Sequence, residues 1–392
     1  MPQKQEMAAA GPDIFIIAGE SSGDELGAGL IDALRASRPG ARFRGVGGPA
    51  MLERGFQTLF PMTDIAVMGV LPVLRNLRRL SSRINTTATA AIGNPPDILI
   101  IIDSPDFTHR VARKLRARRP QVPIINYVSP TVWAWRPGRA RKMKPYVDHL
   151  LALLPFEPAA HERLGGPPCT YVGHPLVERF AGMNDPGRRA EVERGRVPDR
   201  LLVLPGSRRS EVHRLMPLFR EILTIVKSGR PELHCLLPAV AHVEEDIRNL
   251  ALDWPAPLEI VRGEQAKYEA MRSARAALAA SGTVSLELAL ARLPFVLAYR
   301  LSFVEAAVAR HFILTRYAGL PSNILGRELN PEFLQEYAVP AKVASAVSTL
   351  LAGGEERDAQ LRGFEEVDRT MQLPPGKTPS VVAASIVERY LN

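Results

Sequence analysis

Short apolar runs rich in β-branched residues recur through most of the chain. Each is followed by a stretch in which apolar positions return every three or four residues. A brief apolar run reads as a strand buried on both faces, and the amphipathic stretch as the helix that crosses back to the next strand. The alternation therefore predicts βα units feeding a largely parallel sheet. Residues 14–18, 98–102, 124–128, 150–154 and the shorter 170–172 are the strands of the first half; 201–204, 233–237, 258–261, 276–279 and 295–298 are those of the second. The pattern restarts near residue 200, and between the halves residues 181–200 are polar and rich in Gly, Pro and charge, as interdomain connections are. After Leu329 strands are expected to stop and helical periods take over, in 341–351, 356–371 and 380–391. The expectation is an α/β protein of two doubly wound, Rossmann-like domains over 1–180 and 181–365, with a helical C-terminal segment over 366–392 packing back on the N-terminal domain.

Composition narrows the class. The 392 residues are 46% hydrophobic and 23% charged, globular proportions that exclude wholesale disorder and fibrous architectures, and the length suits two to three domains. Cys169 and Cys235 are far apart and in no C-x-x-C pair, so neither a disulfide framework nor a structural zinc site fits, and a reducing compartment is expected. The first twelve residues hold Lys4 and Glu6 and lack an apolar signal core, so export is not expected. The longest apolar run, 65–74, falls short of the roughly 18 residues a span requires and contains Gly69 and Pro72. Net charge is +9, and it is localised: residues 61–150 hold 15 Lys and Arg against five Asp and Glu. That region faces an anionic partner, whether nucleic acid, acidic lipid or phosphorylated substrate.

Each half opens on the same arrangement of strand, tight loop and helix. The first loop is Gly19-Glu20-Ser21-Ser22-Gly23-Asp24 and the second Pro205-Gly206-Ser207-Arg208-Arg209-Ser210. At the carboxyl end of a parallel strand, free helix N–H groups favour anions, although ordinary βα turns use the same residues. Neither loop is G-x-G-x-x-G or a Walker sequence, so a dehydrogenase or P-loop ATPase is not supported. A third loop, Ser281-Gly282-Thr283, leads into a helix carrying Glu287. Small residues admit a pyrophosphate and the glutamate can accept from two ribose hydroxyls; Glu287 as a plain helix-surface carboxylate is the competing reading.

Other candidates carry chemistry of their own. Asp103 ends an almost wholly apolar run, the position of a general base, and Asp106 is a second candidate that equally suits a helix N-cap. Their i, i+3 spacing across Pro105, with no histidine or carboxylate cluster, argues against a dedicated metal site. Val67, Met68, Val70, Leu71 and Leu74 followed by Arg75 and Arg78 suit a phosphorylated lipid, or else a core-facing helix with a basic outer face. Trp133 and Trp135 precede a basic run from Arg136 to Lys144, which suits either the stacking of nucleic-acid bases or the wall of a substrate cleft. His174, at a strand end, is the one histidine expected to face such a cleft.

Taken together, Ala18 to Asp24, Ile102-Asp103-Ser104-Pro105-Asp106-Phe107, Tyr127 to Arg136, Leu154-Pro155-Phe156-Glu157, Leu204 to Arg208 and Ala280 to Glu287 resemble the lipid A disaccharide synthases, in one order over residues 13–390. The resemblance implies the GT-B glycosyltransferase fold, two Rossmann-like domains facing across a cleft. It implies inverting transfer of 2,3-diacylglucosamine from its UDP derivative to 2,3-diacylglucosamine 1-phosphate, forming a β(1→6) disaccharide and UDP in lipid A biosynthesis. On that basis Asp103 is the base, with Asp106 second. Gly206, Ser207, Arg208, Ser281, Gly282, Thr283, Glu287 and Asn323 bind the donor, and the Gly19 to Asp24 loop contacts sugar or phosphate. Val67 to Arg78 form an acyl-chain platform. No metal or other cofactor is implied. The protein would lie peripherally on the cytoplasmic face of a Gram-negative inner membrane, with a homodimer as a further implication. The family usually reads Leu-Pro-Asn where this chain has Leu320-Pro321-Ser322-Asn323, so the asparagine is displaced by one. The competing readings are another GT-B UDP-sugar enzyme, such as a peptidoglycan N-acetylglucosaminyltransferase or a UDP-N-acetylglucosamine 2-epimerase, and, from another class, a basic nucleic-acid-binding protein.

Overall fold

The computed structural model describes residues 11–65, 77–182, 199–302 and 314–391. The chain forms two units, Met1–Pro175 with Leu373–Asn392, and Leu176–Gln372. In the first, seven strands lie in the order β3-β2-β1-β4-β5-β6-β7: β1 (Asp13–Ala18), β2 (Arg42–Val46), β3 (Gln57–Thr58), β4 (Ile98–Ile102), β5 (Ile124–Tyr127), β6 (His149–Ala152) and β7 (Cys169–Tyr171). Every pairing is parallel. Parallel neighbours need a crossover, and the helices supply it: α1 (Ser21–Ser37), α2 (Pro49–Leu52), α3 (Leu77–Gly93), α4 (Pro105–Arg118), α5 (Gly138–Met143) and α6 (Glu157–Arg163).

The second unit begins with α7 (Pro175–Ala181), which Arg179 ties to Glu264 and Tyr268 and Phe180 packs edge-on against Tyr268. Its six parallel strands run β10-β9-β8-β11-β12-β13: β8 (Arg200–Leu204), β9 (His234–Ala239), β10 (Leu258–Arg262), β11 (Ala276–Ala279), β12 (Phe295–Tyr299) and β13 (Glu332–Leu334). Around them lie α8 (Arg209–Gly229), α9 (Glu244–Leu250), α10 (Glu264–Ser273), α11 (Val284–Leu290), α12 (Leu320–Leu325), α13 (Pro340–Ala352) and α14 (Glu355–Met371); α15 (Pro379–Glu388) then returns to the first unit.

The apolar runs are unbroken because both faces of each sheet are covered. In the first unit Ile14, Ile16, Ile98 and Ile100 pack with α1 and with Ala383, Ile386 and Val387 of α15. The intervening Phe15, Ile17, Leu99 and Ile101 pack on the other face against Ile84 of α3 and Phe107, Val111 and Leu115 of α4. Three strands depart from the expectation. β2, β3 and β13 carry polar residues, and β13 contradicts the expected end of strands at Leu329. In β2, Arg44 lies over the Phe15 ring and forms a 2.8 Å ion pair with Asp13, so tertiary partners support a sequence with little β signal. No described helix is long and apolar enough to cross a membrane.

Ile386 is 2% exposed in a core that the early strands build. Ile386→Ala is expected to destabilise the protein by about 2–4 kcal/mol, read as a lowered urea midpoint at unchanged slope. An unchanged midpoint would contradict the packing of α15 on this sheet.

Candidate functional site

In each sheet the strand order reverses at one place, between β1 and β4 in the first unit and between β8 and β11 in the second. There the two outgoing loops diverge to opposite faces and leave a crevice at the carboxyl edge, the usual ligand position in open α/β sheets. The four loops singled out in the sequence leave from these four strands.

In the second unit a cavity of about 760 Å³ opens at the ends of β8, β9, β10 and β11. Gly206, Ser207, Arg208, Ser281, Gly282, Thr283 and Glu287 all line it. Gly206 has φ +104°, and a Cβ there would meet Glu211 Oε2 at 2.5 Å, so only glycine passes the first turn of α8 at this distance. Glu211 in turn accepts from the Arg208 backbone N–H at 3.3 Å and from the Tyr299 hydroxyl at 3.1 Å. Burial and the Glu211 charge push the Tyr299 hydroxyl up to about 12, so it remains a donor at neutral pH. The loop after β11 is equally fixed. Ser281 Oγ donates to the Ala318 carbonyl at 3.1 Å, while Ser285 Oγ donates to the Gly282 carbonyl at 2.7 Å and accepts from the Leu320 N–H at 3.1 Å.

Each cation lining this cavity has a carboxylate partner. Lys267 pairs with Glu287, and Arg262 pairs with Glu244, whose carboxyl the guanidiniums of Arg262 and Arg248 hold down at about 2. Arg208 and Arg262 are the exposed cations, 71% and 69% accessible, and Arg208 lies 3.4 Å from Glu211. The arrangement offers an anion two glycine-bearing loops and Arg208, and offers a diol the Glu287 carboxylate. Glu211, Arg262 and Lys267 had no signal in the sequence, since they reach the cavity from positions with no motif.

Asn323 is not brought to this cavity. Its amide donates to the carbonyls of Tyr317 and Gly319 at 2.9 and 2.8 Å and accepts from the Thr315 hydroxyl, so its hydrogen-bonding capacity serves the loop before α12. Ser322, in the position where the family's asparagine would stand, is fully buried and takes the Leu329 N–H at 3.2 Å.

In the first unit the loops after β1 and β4 touch. A Cβ at Gly19 would lie 2.2 Å from Ser104 Oγ, so glycine is required there for the two loops to pass. Asp103 and Ser104 both adopt left-handed backbone, φ +53° and +43°, and Asp103 Oδ1 accepts from the Ser104 N–H at 2.8 Å. Asp103 is half-buried and Asp106 exposed in the first turn of α4. Glu20 is the residue before α1; Ser21 and Ser22 are exposed and Gly23 is buried against Ile102. Asp24 is turned inward: its carboxylate accepts from the N–H groups of Gly48, Ala50 and Met51 and so caps the short α2. The expected lipid platform at Val67, Met68, Val70, Leu71, Leu74 and Arg75 lies outside the described residues; Arg78 is exposed on α3.

Past β5 and β6 the segments 127–136 and 154–157 clasp each other. Glu157 is 3% exposed and accepts from the Trp133 indole at 3.1 Å and the Leu154 N–H at 3.0 Å, while Trp133 meets Phe156 edge-to-face at 4.9 Å. Ser129 Oγ lies 2.9 Å from His161 Nε2, and burial lowers that imidazole to about 4, leaving it neutral. Burial also pushes the Glu157 carboxyl up to about 7 despite these donors. Among the described residues no group of three His, Cys, Asp or Glu is placed to hold a metal ion.

Comparison with known proteins agrees with this geometry. Residues 14–385 match the family model described as lipid-A-disaccharide synthetase. The chain is 48% identical over 379 residues to the lipid-A-disaccharide synthase of Rhodopseudomonas palustris strain HaA2, covering 96% of each. It is 49% identical over 375 residues to that of Nitrobacter hamburgensis, covering 95% of this chain and 94% of the relative. Among solved structures, the S. aureus MnaA–UDP co-structure superposes with TM-score 0.64 at 12% identity over 97% of both chains. The Neisseria meningitidis UDP-GlcNAc 2-epimerase bound to UDP-GlcNAc gives 0.58 at 11% identity over 97% of this chain and 99% of its own. At such identities these two structures speak to the fold alone, which is the GT-B arrangement of two Rossmann-like α/β units.

Glu157 supplies a pH test. A carboxyl raised in the folded state keeps its proton where the unfolded chain has lost it, so its contribution favours folding at low pH and is lost as pH rises from about 4.5 to about 7. Glu157→Gln should flatten the fall in unfolding free energy across that window relative to wild type. Parallel pH profiles for the two proteins would contradict the raised value.

Proposed function

Because the chain belongs to the lipid-A-disaccharide synthase family, we propose that it transfers 2,3-diacylglucosamine from UDP-2,3-diacylglucosamine to the 6-hydroxyl of 2,3-diacylglucosamine 1-phosphate. The observation that carries the assignment of parts is the cavity at the β8–β11 reversal, where Gly206 to Arg208, Ser281 to Thr283 and Glu287 meet. In this reading Glu287, paired with Lys267, accepts from the ribose hydroxyls of UDP. The two glycine-bearing loops and Arg208 receive the diphosphate as its bond to the anomeric carbon breaks.

The acceptor is activated by Asp103. Its Oδ1 is held by the Ser104 N–H, which leaves Oδ2 to take the proton of the attacking hydroxyl; Asp106 is the second candidate. Bond formation from the hydroxyl oxygen to the anomeric carbon opposite the departing UDP inverts that centre. No resident metal or cofactor takes part in this scheme, because cationic side chains and backbone N–H groups meet the leaving-group charge. Acyl chains require an apolar surface, which the 65–74 sequence supplies, and so we place the enzyme peripherally on the cytoplasmic face of the inner membrane, with a homodimer as its assembly.

The defining experiment is UDP release by the purified protein from UDP-2,3-diacylglucosamine with and without the acceptor. Acceptor-dependent release with a new disaccharide is expected; release independent of acceptor would point to another UDP-sugar reaction. Asp103→Asn should lower turnover by roughly 10² to 10⁴ with UDP affinity kept, and a near-wild-type rate would remove Asp103 from the role. Glu287→Ala should weaken UDP binding in calorimetry by about 10-fold or more, since charged acceptors to two hydroxyls are lost. Unchanged affinity would contradict the ribose assignment.

A further inference from the structure

Five of the 15 basic residues in 61–150 are gathered at one place. A second cavity, of about 540 Å³, lies in the first unit between α4 and α5, and its rim begins at Pro105, two residues past Asp103. Arg110 and Arg113 reach it from α4, and Arg136, Arg139 and Lys142 from the segment at and before α5. Asp106 is the one carboxylate in its lining, so the walls carry four positive charges in excess. Among the described residues none of the five cations is in an ion pair, whereas Arg44, Arg54, Arg116 and Arg230 each have an aspartate.

Aromatic rings hold three of the cations instead. Arg113 lies 4.9 Å over the Tyr146 ring and donates to its hydroxyl at 3.2 Å. Arg136 and Arg139 lie 4.2 and 5.5 Å from the Trp135 centroid. An aromatic face orients a guanidinium without neutralising it, and a planar guanidinium fork matches phosphate oxygens in pairs. The floor adds no charge. His109 and Tyr146 are buried and hydrogen-bonded at 2.9 Å, and burial together with Arg113 and Arg139 lowers the imidazole to about 4.

We propose that this cavity binds a phosphomonoester, and that the group it takes is the 1-phosphate of the sugar acceptor, which makes Arg113, Arg139 and Lys142 specificity-determining residues for acceptor choice. The inference rests on the transferase reading, and it is anchored by geometry: the strand end that presents Asp103 runs directly into the helix that forms one wall of the cavity. A doubly charged monoester fits four excess charges better than the single charge of a phosphodiester.

The test compares 2,3-diacylglucosamine 1-phosphate with its dephosphorylated counterpart as acceptors, for wild type and for the Arg139→Gln/Lys142→Gln double variant, in detergent micelles. Wild type should prefer the phosphorylated acceptor in kcat/KM, and the variant should lose that preference by about 10-fold or more while its UDP affinity, measured in the other unit's cavity, is unchanged. An undiminished preference would overturn the proposal. Co-sedimentation with phosphatidylglycerol vesicles separates the lipid-headgroup source: vesicle binding lost while acceptor preference is kept would assign the cavity to the membrane and overturn it for the acceptor. If wild type shows no acceptor-dependent turnover, the transferase reading fails by itself. The cavity is then read by ³¹P line broadening of glucosamine 1-phosphate, where broadening by wild type and not by the variant upholds a phosphomonoester site and no broadening by wild type overturns it.

Discussion

The functional geometry depends on the point where a parallel sheet reverses its strand order. Parallel strands deliver all their outgoing loops to one edge, and where two neighbours send their crossovers to opposite faces the loops part and leave a gap that no side chain of the sheet can fill. β1 sends its chain to α1 on one face and β4 to α4 on the other. In the second unit, β8 leads to α8, which packs with Leu201, Val203 and Leu278, while α11 packs with α14 on the side where Phe295 stacks on Phe364. Small residues at these points follow from the sterics, since the loops pass within contact distance of each other or of their own helix.

The first unit adds strain to this edge. Asp103, Ser104, Val128 and Arg136 all carry side chains in left-handed backbone, a conformation that costs of order 1 kcal/mol or more apiece. The parallel ladder supplies the opposing constraint: the Asp103 N–H reaches the Tyr127 carbonyl at 3.3 Å and the Val128 N–H the Leu151 carbonyl at 3.0 Å, so each strand end is pinned to the next. The buried Glu157 then fastens the Trp133 segment to the turn after β6. A carboxyl held near neutrality in such a position satisfies two donors and avoids the full desolvation penalty of a buried anion.

What the sequence shows and what it hides divide along the same physical line. Strands such as Ile98–Ile102 are legible because burial on both faces demands an unbroken apolar run. β2, with two arginines and a glycine, is not, because its stability comes from Asp13 and the Phe15 ring, partners some thirty residues away. The site loops are legible through glycine and serine, whose use in tight turns is a local requirement. Side-chain commitments are not local: Asp24 reads as a loop carboxylate and is spent on α2, Asn323 reads as a ligand and is spent on its own loop, and Lys267 has no motif yet pairs with Glu287. The resemblance to known sequences carried the function further than composition did, because the Tyr127 to Arg136 segment is an unusual string, whereas glycine loops recur in unrelated folds.

The two cavities hold their cations in opposite ways, and this bears on what each can bind. In the second unit Lys267, Arg262 and Arg208 all have glutamate partners, so an anion entering that cavity meets compensated charge and draws on the backbone N–H groups of the two loops. In the first unit Arg113, Arg136 and Arg139 rest on Tyr146 and Trp135 with no paired carboxylate to displace, and part of their side-chain entropy is already lost to the aromatic contacts. An anion entering there meets oriented, uncompensated charge and costs the protein less reorganisation, which is the condition for discriminating a phosphorylated from an unphosphorylated sugar.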